Sequence, residues 1–371
     1  MKQHDVLIVG GGLAGLVAAH QLAKGGREVL LIEKKSYPFH RVCGEYISNE
    51  VRDFLEKEEL FPFQYKPSEI RRFRLTSVKG KVAEAPLDMG GFGVSRYLLD
   101  RFIYEKSLEK GASFLLNTQV EKVHYDSKNK IFKVDGSDGS MRYAKHLIGA
   151  FGKRSKIDKS MNRDFMNKRS PYIGVKYHIK VSHEEDMVAL HNFDGGYCGI
   201  NKIENDLYNL CYLGSREHLR YFGSIPKMET SILYQNPQLK RIFEAGEFVF
   251  DKPEVINEIN FSPKKPIENH VLMTGDAAGL ITPLCGNGMA IAIHTGKLAA
   301  EAILQNRSQP DIEYQYLHNW NRFFKTRLWV GRRVQQLFGA KWTSEFSVGL
   351  LKRSPYLAQQ IIQRTHGDQV V

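Results

Sequence analysis

Asp5-Val6-Leu7-Ile8-Val9-Gly10-Gly11-Gly12-Leu13-Ala14-Gly15 decides how this chain begins to fold. Residues 5–9 are short, apolar and β-branched, the pattern of a strand buried in a parallel sheet. Gly10, Gly12 and Gly15 follow in GxGxxG spacing. Leu13 to Lys24 repeat apolar residues at helical spacing, and Gly25-Gly26 stop that helix. Residues 28–32 make a second strand ending at Glu33. In this reading Gly10 permits the tight turn. Gly12 lets a pyrophosphate approach backbone N–H groups at the helix N-terminus, and Gly15 lets helix and strand pack closely. Glu33 accepts a hydrogen bond from a ribose hydroxyl. A glycine-rich turn without a ligand is the bland alternative. The placement between strand and helix, with an acid at the end of the next strand, favours a dinucleotide.

A second stretch, Gly275-Asp276-Ala277-Ala278-Gly279-Leu280-Ile281-Thr282-Pro283-Leu284-Cys285-Gly286-Asn287-Gly288-Met289, lies far downstream. Residues 271–274 read as a buried strand that enters it. Asp276 then accepts a hydrogen bond from a ribityl hydroxyl, and the small residues allow close backbone approach. Pro283 fixes a turn, and Gly286 and Gly288 open a helix over 287–304. The N-terminus of that helix directs partial positive charge at a flavin pyrimidine edge. A plain loop-to-helix connection is the alternative. The two stretches together predict a long cofactor, FAD, bound non-covalently in extended form by one discontinuous domain.

Between them the chain turns to sheet. Residues 70–76 and 79–87 read as a hairpin about Lys79-Gly80, followed by a helix from Tyr97 to Lys110. Short strands are expected at 113–116, 119–125, 130–135 and 141–148, then at 172–181, 187–192, 196–203 and 206–214. Residues 218–245 read as helix, 247–261 as strand, and the chain beyond 304 as helix. The expected fold is α/β. A Rossmann-type FAD-binding domain takes residues 1–69, 92–160 and 262–310. An inserted antiparallel β-sheet substrate domain takes 70–91 and 161–261, and C-terminal helices occupy 311–371.

At this point the chain resembles the FAD-dependent family of geranylgeranyl reductases, p-hydroxybenzoate-hydroxylase-type monooxygenases and flavin-dependent halogenases, whose cofactor domain is of the GR2-like type. Four stretches across residues 1–310 carry the resemblance: Gly10–Glu33, Arg41-Val42-Cys43-Gly44-Glu45, Arg96-Tyr97-Leu98-Leu99-Asp100, and Gly275–Met289. It implies that Arg41 and Arg96 lie along the FAD phosphates and ribityl chain, where a planar guanidinium suits phosphate oxygens. Ordinary surface arginines are the alternative. It also adds Leu13, Ala14, Lys34, Cys43, Gly44, Val120, Asn287 and Met289 to the cofactor-binding residues. Hydroxylases usually carry His after Asp-Ala-Ala. Here Gly279 and the run to Met289 are closer to the geranylgeranyl-reductase branch, as is Cys43-Gly44. In that branch the cysteine lies near the isoalloxazine ring, where a thiol could donate a proton to a reduced alkene. A buried, inert cysteine is the competing reading. The halogenase motif WxWxIP is absent, which disfavours halogenation.

Two departures bear on function. The family has Asp-Gly where this chain has Phe151-Gly152, so the contacts of that acid are lost and direct use of NAD(P)H is expected to be slow and transient. Prenyl reductases tend to show Tyr-x-Trp-x-Phe-Pro on a substrate-domain strand. Here the segment is Tyr197-Cys198-Gly199-Ile200, which keeps the tyrosine and replaces the tryptophan with glycine. Tyr197 is the candidate wall residue of an apolar substrate cavity, and with Cys43 it forms the candidate catalytic pair.

The chain has 371 residues and a formal net charge of +12. Its four cysteines show no metal-ligand or disulfide spacing, so no metal site is expected and a reducing cytoplasmic setting fits. No signal peptide or spanning helix is read. Between Trp320 and Arg353 there are eight Lys/Arg and one acid, Glu345, interleaved with aromatic and aliphatic residues. That pattern fits either helices packed on the core with a solvated basic face, or an amphipathic segment on the inner face of a membrane. No nucleic-acid motif accompanies the charge. The leading function is an FAD-dependent oxidoreductase acting on a carbon–carbon bond of a hydrophobic substrate: lipid-like, prenyl or polycyclic. A monooxygenase acting on a phenol is the second reading. The third is an electron carrier that docks on a membrane or protein partner. An electron-donor protein is expected in place of a bound nicotinamide.

Overall fold

Val6, Leu7 and Ile8 are completely buried, so the first strand shows none of the apolar–polar alternation of a half-exposed one. It spans Gln3–Val9 and runs parallel to Val29–Ile32 on one side and to Met141–Gly149 on the other. Ser113–Leu115 extends the sheet beyond one neighbour and Val271–Met273 beyond the other, both parallel. Two antiparallel strands, Val120–Asp126 and Ile131–Gly136, hang from Met141–Gly149 as a meander. Helices Leu13–Lys24, Arg96–Glu109 and Gly288–Gln305 pack together beside this sheet. The computed structural model describes residues 3–167, 170–257, 259–280, 287–335, 341–354, 356, 359–360, 362–363 and 367–371.

The second sheet is mostly antiparallel. Its order is 247–248, 172–180, 208–215, 196–202, 187–193, 68–76, 82–93 and 46–48, with 254–257 also pairing to 172–180. One pair, Met187–Phe193 with Ser68–Thr76, is parallel. One face of this sheet buries Ile173, Val175, Ile200 and Leu210 against Met228, Leu239 and Ile242. The other face turns toward the first sheet. Tyr46–Ser48 joins this second sheet through Ile47 opposite Phe92, although the sequence reading counted residues 1–69 with the cofactor domain. Three residues between charged and glycine-rich neighbours give too short a pattern to read as strand.

Two long predicted elements break. The helix expected over 218–245 is three helices, Arg216–Phe222, Ile225–Ile232 and Pro237–Ala245. Gly223, in left-handed backbone, ends the first, and Asn236-Pro237 restarts the third. The strand expected over 247–261 survives only as Glu247–Phe248 and Glu254–Asn257, with Pro253 between them. Helices Gln309–Gln335 and Lys341–Arg353 follow, and beyond them the Val370 N–H donates to the Glu50 carbonyl oxygen.

Candidate functional site

A cavity of about 960 Å³ is lined by residues of both sheets. Gly10, Gly12, Leu13, Ala14, Glu33, Lys34, Arg41, Cys43, Gly44, Arg96, Val120, Gly275, Asp276, Gly288 and Met289 all border it, as does Tyr197. Gly15 and Asn287 do not. Pro283 and Gly286 lie outside the described residues.

The cofactor end is built from backbone turns and two buried carboxylates. Gly10 has φ 103°, and a Cβ there would sit 2.4 Å from the Ala150 carbonyl oxygen. A Cβ on Gly15 would sit 2.0 Å from the Gly10 carbonyl oxygen, so this residue serves packing rather than lining. Glu33 is buried, and its carboxylate accepts from the Gly11 N–H at 2.7 Å and the Lys35 N–H at 3.2 Å. Asp100, also buried, accepts from Arg41 Nε at 2.9 Å and from Arg96 Nε and Nη2 at 2.6 and 2.7 Å. The two arginines named from sequence therefore share one counter-ion and are not loose surface side chains. Asp100 holds Arg96 firmly charged against the opposing effect of burial. Arg41 also donates to the Gly11 carbonyl oxygen at 3.0 Å, which ties it to the glycine turn.

These residues fit FAD on four observations. A Cβ at Gly44 would meet nothing within 4 Å, so its backbone is open to a ligand. A Cβ at Gly12 would meet only Arg96 Nη2, at 3.7 Å. Thr274 Oγ1 is buried at the cavity wall with no hydrogen-bond partner among the described residues. The helix beginning at Gly288 presents its first residues, Gly288 and Met289, to the same space.

The Cys43-Gly44-Glu45 segment crosses between the two ends, and the second sheet fixes it from below. Asn209 Nδ2 donates to the carbonyl oxygens of Cys43 at 3.2 Å and Gly44 at 2.8 Å. Glu45 has left-handed backbone, φ 51°, which costs a residue with a Cβ about 1 kcal/mol. Its fully buried carboxylate offsets that strain. Lys176 Nζ donates to Oε1 at 2.5 Å, His178 Nε2 lies 2.7 Å from Oε2, and the Arg96 N–H donates to Oε1 at 2.7 Å. Burial raises the Glu45 pKa, but Lys176 and His178 overcome it and hold the carboxyl down to about 2. Cys43 Sγ lies 3.2 Å from Met289 Sδ and faces the Arg96 guanidinium. Cys211 borders the same cavity, with its thiol pushed up to about 12 by burial.

The other end is predominantly apolar. Leu75, Leu190, Tyr197, Leu213, Ile259 and Leu280 line it, with Leu350 and Leu351 from the last helix. Tyr197 is buried in the wall of the cavity that Cys43 also borders. A Cβ on Gly199 would meet Leu190 Cδ2 at 3.2 Å, a tight contact, so a larger residue here must displace Leu190 at the cavity wall. Phe151 borders the cavity and packs on the first core. Asp100, Lys176, His178 and Asn209 carried no role in the sequence reading. Asp100 had a signal, because it stands four residues after Arg96 on a helix. The other three lie more than a hundred residues from the segment they hold.

The pattern of the pyridine nucleotide-disulphide oxidoreductase family matches residues 4–181. A menaquinone reductase of Mycobacterium tuberculosis is 26% identical over 81% of this chain and 76% of its own length. A digeranylgeranylglycerophospholipid reductase of Methanopyrus kandleri is 26% identical over 100% of this chain and 94% of its own. Among solved structures, a flavin-dependent brominase superposes with TM-score 0.78 at 20% identity, covering 98% of this chain and 93% of that one. At that identity the last likeness shows the fold alone.

Proposed function

We propose that this chain, an FAD-dependent oxidoreductase by its kinship, reduces a carbon–carbon double bond of an apolar, prenyl-like or polycyclic substrate. The observation that carries the reading is the continuity of one cavity from the arginine–aspartate cluster to an aliphatic wall. Bound FAD supplies the two-electron chemistry. The residues supply the rest. Asp100 aims Arg41 and Arg96 at phosphate oxygens. Gly288 and Met289 bring a helix N-terminus, and its partial positive charge, to the cavity. Leu190, Leu213 and Tyr197 exclude water around the reacting bond. Reduction of an alkene needs a hydride at one carbon and a proton at the other, and the Cys43 thiol is the proton source at the junction of the two ends. Both named reductase relatives favour reduction over oxygen chemistry.

The electrons come from a protein donor or a small reductant in preference to NAD(P)H. The support is Phe151, whose ring cannot accept hydrogen bonds as a carboxylate does, at a cavity whose glycine turn FAD already takes. The test is anaerobic. Reduced holo-protein is mixed with a polyprenyl alkene or a menaquinone, and separately with oxygen and a phenol. Reoxidation with one polyprenyl double bond saturated, a gain of two hydrogens in the side chain that remains after any quinol is reoxidised in air, is the expected result. Reoxidation by oxygen alone, with hydroxylated phenol as product, replaces this reading with the monooxygenase.

A further inference from the structure

The helix Lys341–Arg353 has two unlike faces. Inward, Val348 is completely buried in the cluster that holds Leu75, Ala83 and Tyr197. Glu345 accepts from the Lys79 N–H at 2.8 Å and pairs with Lys81 Nζ at 3.4 Å, which seats the helix on the 68–93 hairpin. Outward stand Phe346, 75% exposed, Leu350, 43% exposed, and Arg353, in i, i+4, i+7 spacing on one side of the helix. The preceding helix, Gln309–Gln335, repeats the arrangement: Trp320, Phe324 and Leu328 are buried, while Arg322, Lys325, Trp329 and Arg333 are exposed. The one acid between Trp320 and Arg353 is Glu345, and it is turned to the hairpin, so from Trp320 onward the outward charge of the two helices is basic; Asp311 and Glu313 stand at the far, N-terminal end of the first. Leu350 is at once exposed and part of the cavity lining, so the apolar end of the cavity reaches the surface at this face.

We propose that this face docks the protein on an anionic lipid bilayer, with Phe346, Leu350 and Trp329 entering the headgroup boundary and the basic residues paired to lipid phosphates. Exposed Phe346 and Leu350, one turn apart and followed by the exposed Lys352 and Arg353, are complementary to that surface. An acidic protein would answer the charges but leave the apolar pair unexplained. The docking places the rim at Leu350 against lipid, which gives an apolar substrate a path that avoids water. That last clause rests on the function proposed above, and the docking itself does not.

The experiment uses the full-length holo-protein and sucrose-loaded vesicles, of phosphatidylcholine alone and of phosphatidylcholine with phosphatidylglycerol. Co-sedimentation with the anionic vesicles is expected, weakening as salt shortens the Debye length below about 10 Å. Lipids brominated near the headgroup should quench tryptophan emission, and Trp329→Phe should abolish that quenching. Phe346→Ser should lower partitioning about tenfold, while flavin content and turnover of detergent-dispersed substrate stay at wild-type values. Failure to bind anionic vesicles at low salt overturns the proposal. So does binding without quenching that Phe346→Ser leaves unchanged, because charge alone would then hold the protein. Vesicle binding is read without any substrate, so an error in the proposed reaction leaves this result standing. Loss of turnover only with vesicle-borne substrate in Phe346→Ser supports the entry path.

Discussion

The two ends of the cavity are made differently. The cofactor end is a local construction: a glycine turn, an acid at the end of the next strand, and two arginines clamped by one buried aspartate. The substrate end is assembled from strands spread over residues 73–259 and from a C-terminal helix. Backbone groups and fixed charges dominate the first, and aliphatic side chains the second. A cofactor shared by many proteins demands one geometry. An apolar substrate demands only a volume and a dry wall, which many sequences can supply.

The contrast can be broken at its rigid end first. Gly15→Val places a side chain where the Gly10 carbonyl oxygen already stands, and no folded, FAD-containing protein should be recovered when flavin content and circular dichroism are measured. Asp100→Ala should come next. It leaves Arg96 without its counter-ion and Arg41 with only the longer pair to Glu33 at 3.4 Å, and breaking such a buried cluster costs about 3–5 kcal/mol. Urea unfolding and FAD titration should both register the loss. Glu45→Gln should cost about 2 kcal/mol, because Lys176 and His178 then meet a neutral amide in place of a buried carboxylate.

Glu45 also makes a prediction in pH. Its folded pKa lies near 2 against an ordinary value of 4.5, so the folded state binds fewer protons than the unfolded state between those limits. The contribution is fully present above pH 4.5 and is lost as pH falls toward 2. The stability gap between wild type and Glu45→Gln should therefore narrow over that interval. A gap that stays constant would place the cost in packing instead of charge.

Legibility followed the same division. The strand–turn–helix at Gly10–Lys24, the acid at Glu33 and the Asp276 stretch were readable because spacing along a few turns fixes their geometry. Arg41 and Arg96 were readable only through family resemblance, and the aspartate that aims them was passed over. Lys176 and His178 were opaque. A buried lysine and histidine on a strand look like an ordinary polar interruption until the fold brings Glu45 to them from 131 and 133 residues away. The helical breaks at Gly223 and Asn236-Pro237 carried readable punctuation. The C-terminal basic face was visible as composition, but its contact with the cavity was not.

A variant at the apolar wall probes the claim that the two ends are separable parts of one cavity. Gly199→Trp presses on Leu190 at the cavity wall, at a position whose Cβ neighbours are Leu190, Cys211 and Ala189 and no member of the arginine cluster. Holo-protein of wild type and variant is titrated with a polyprenyl ligand while the visible flavin spectrum is recorded. The account predicts equal FAD content in both, a saturable spectral shift in the wild type, and none in the variant. An unchanged spectrum in the wild type, or an equal shift in both proteins, would contradict it.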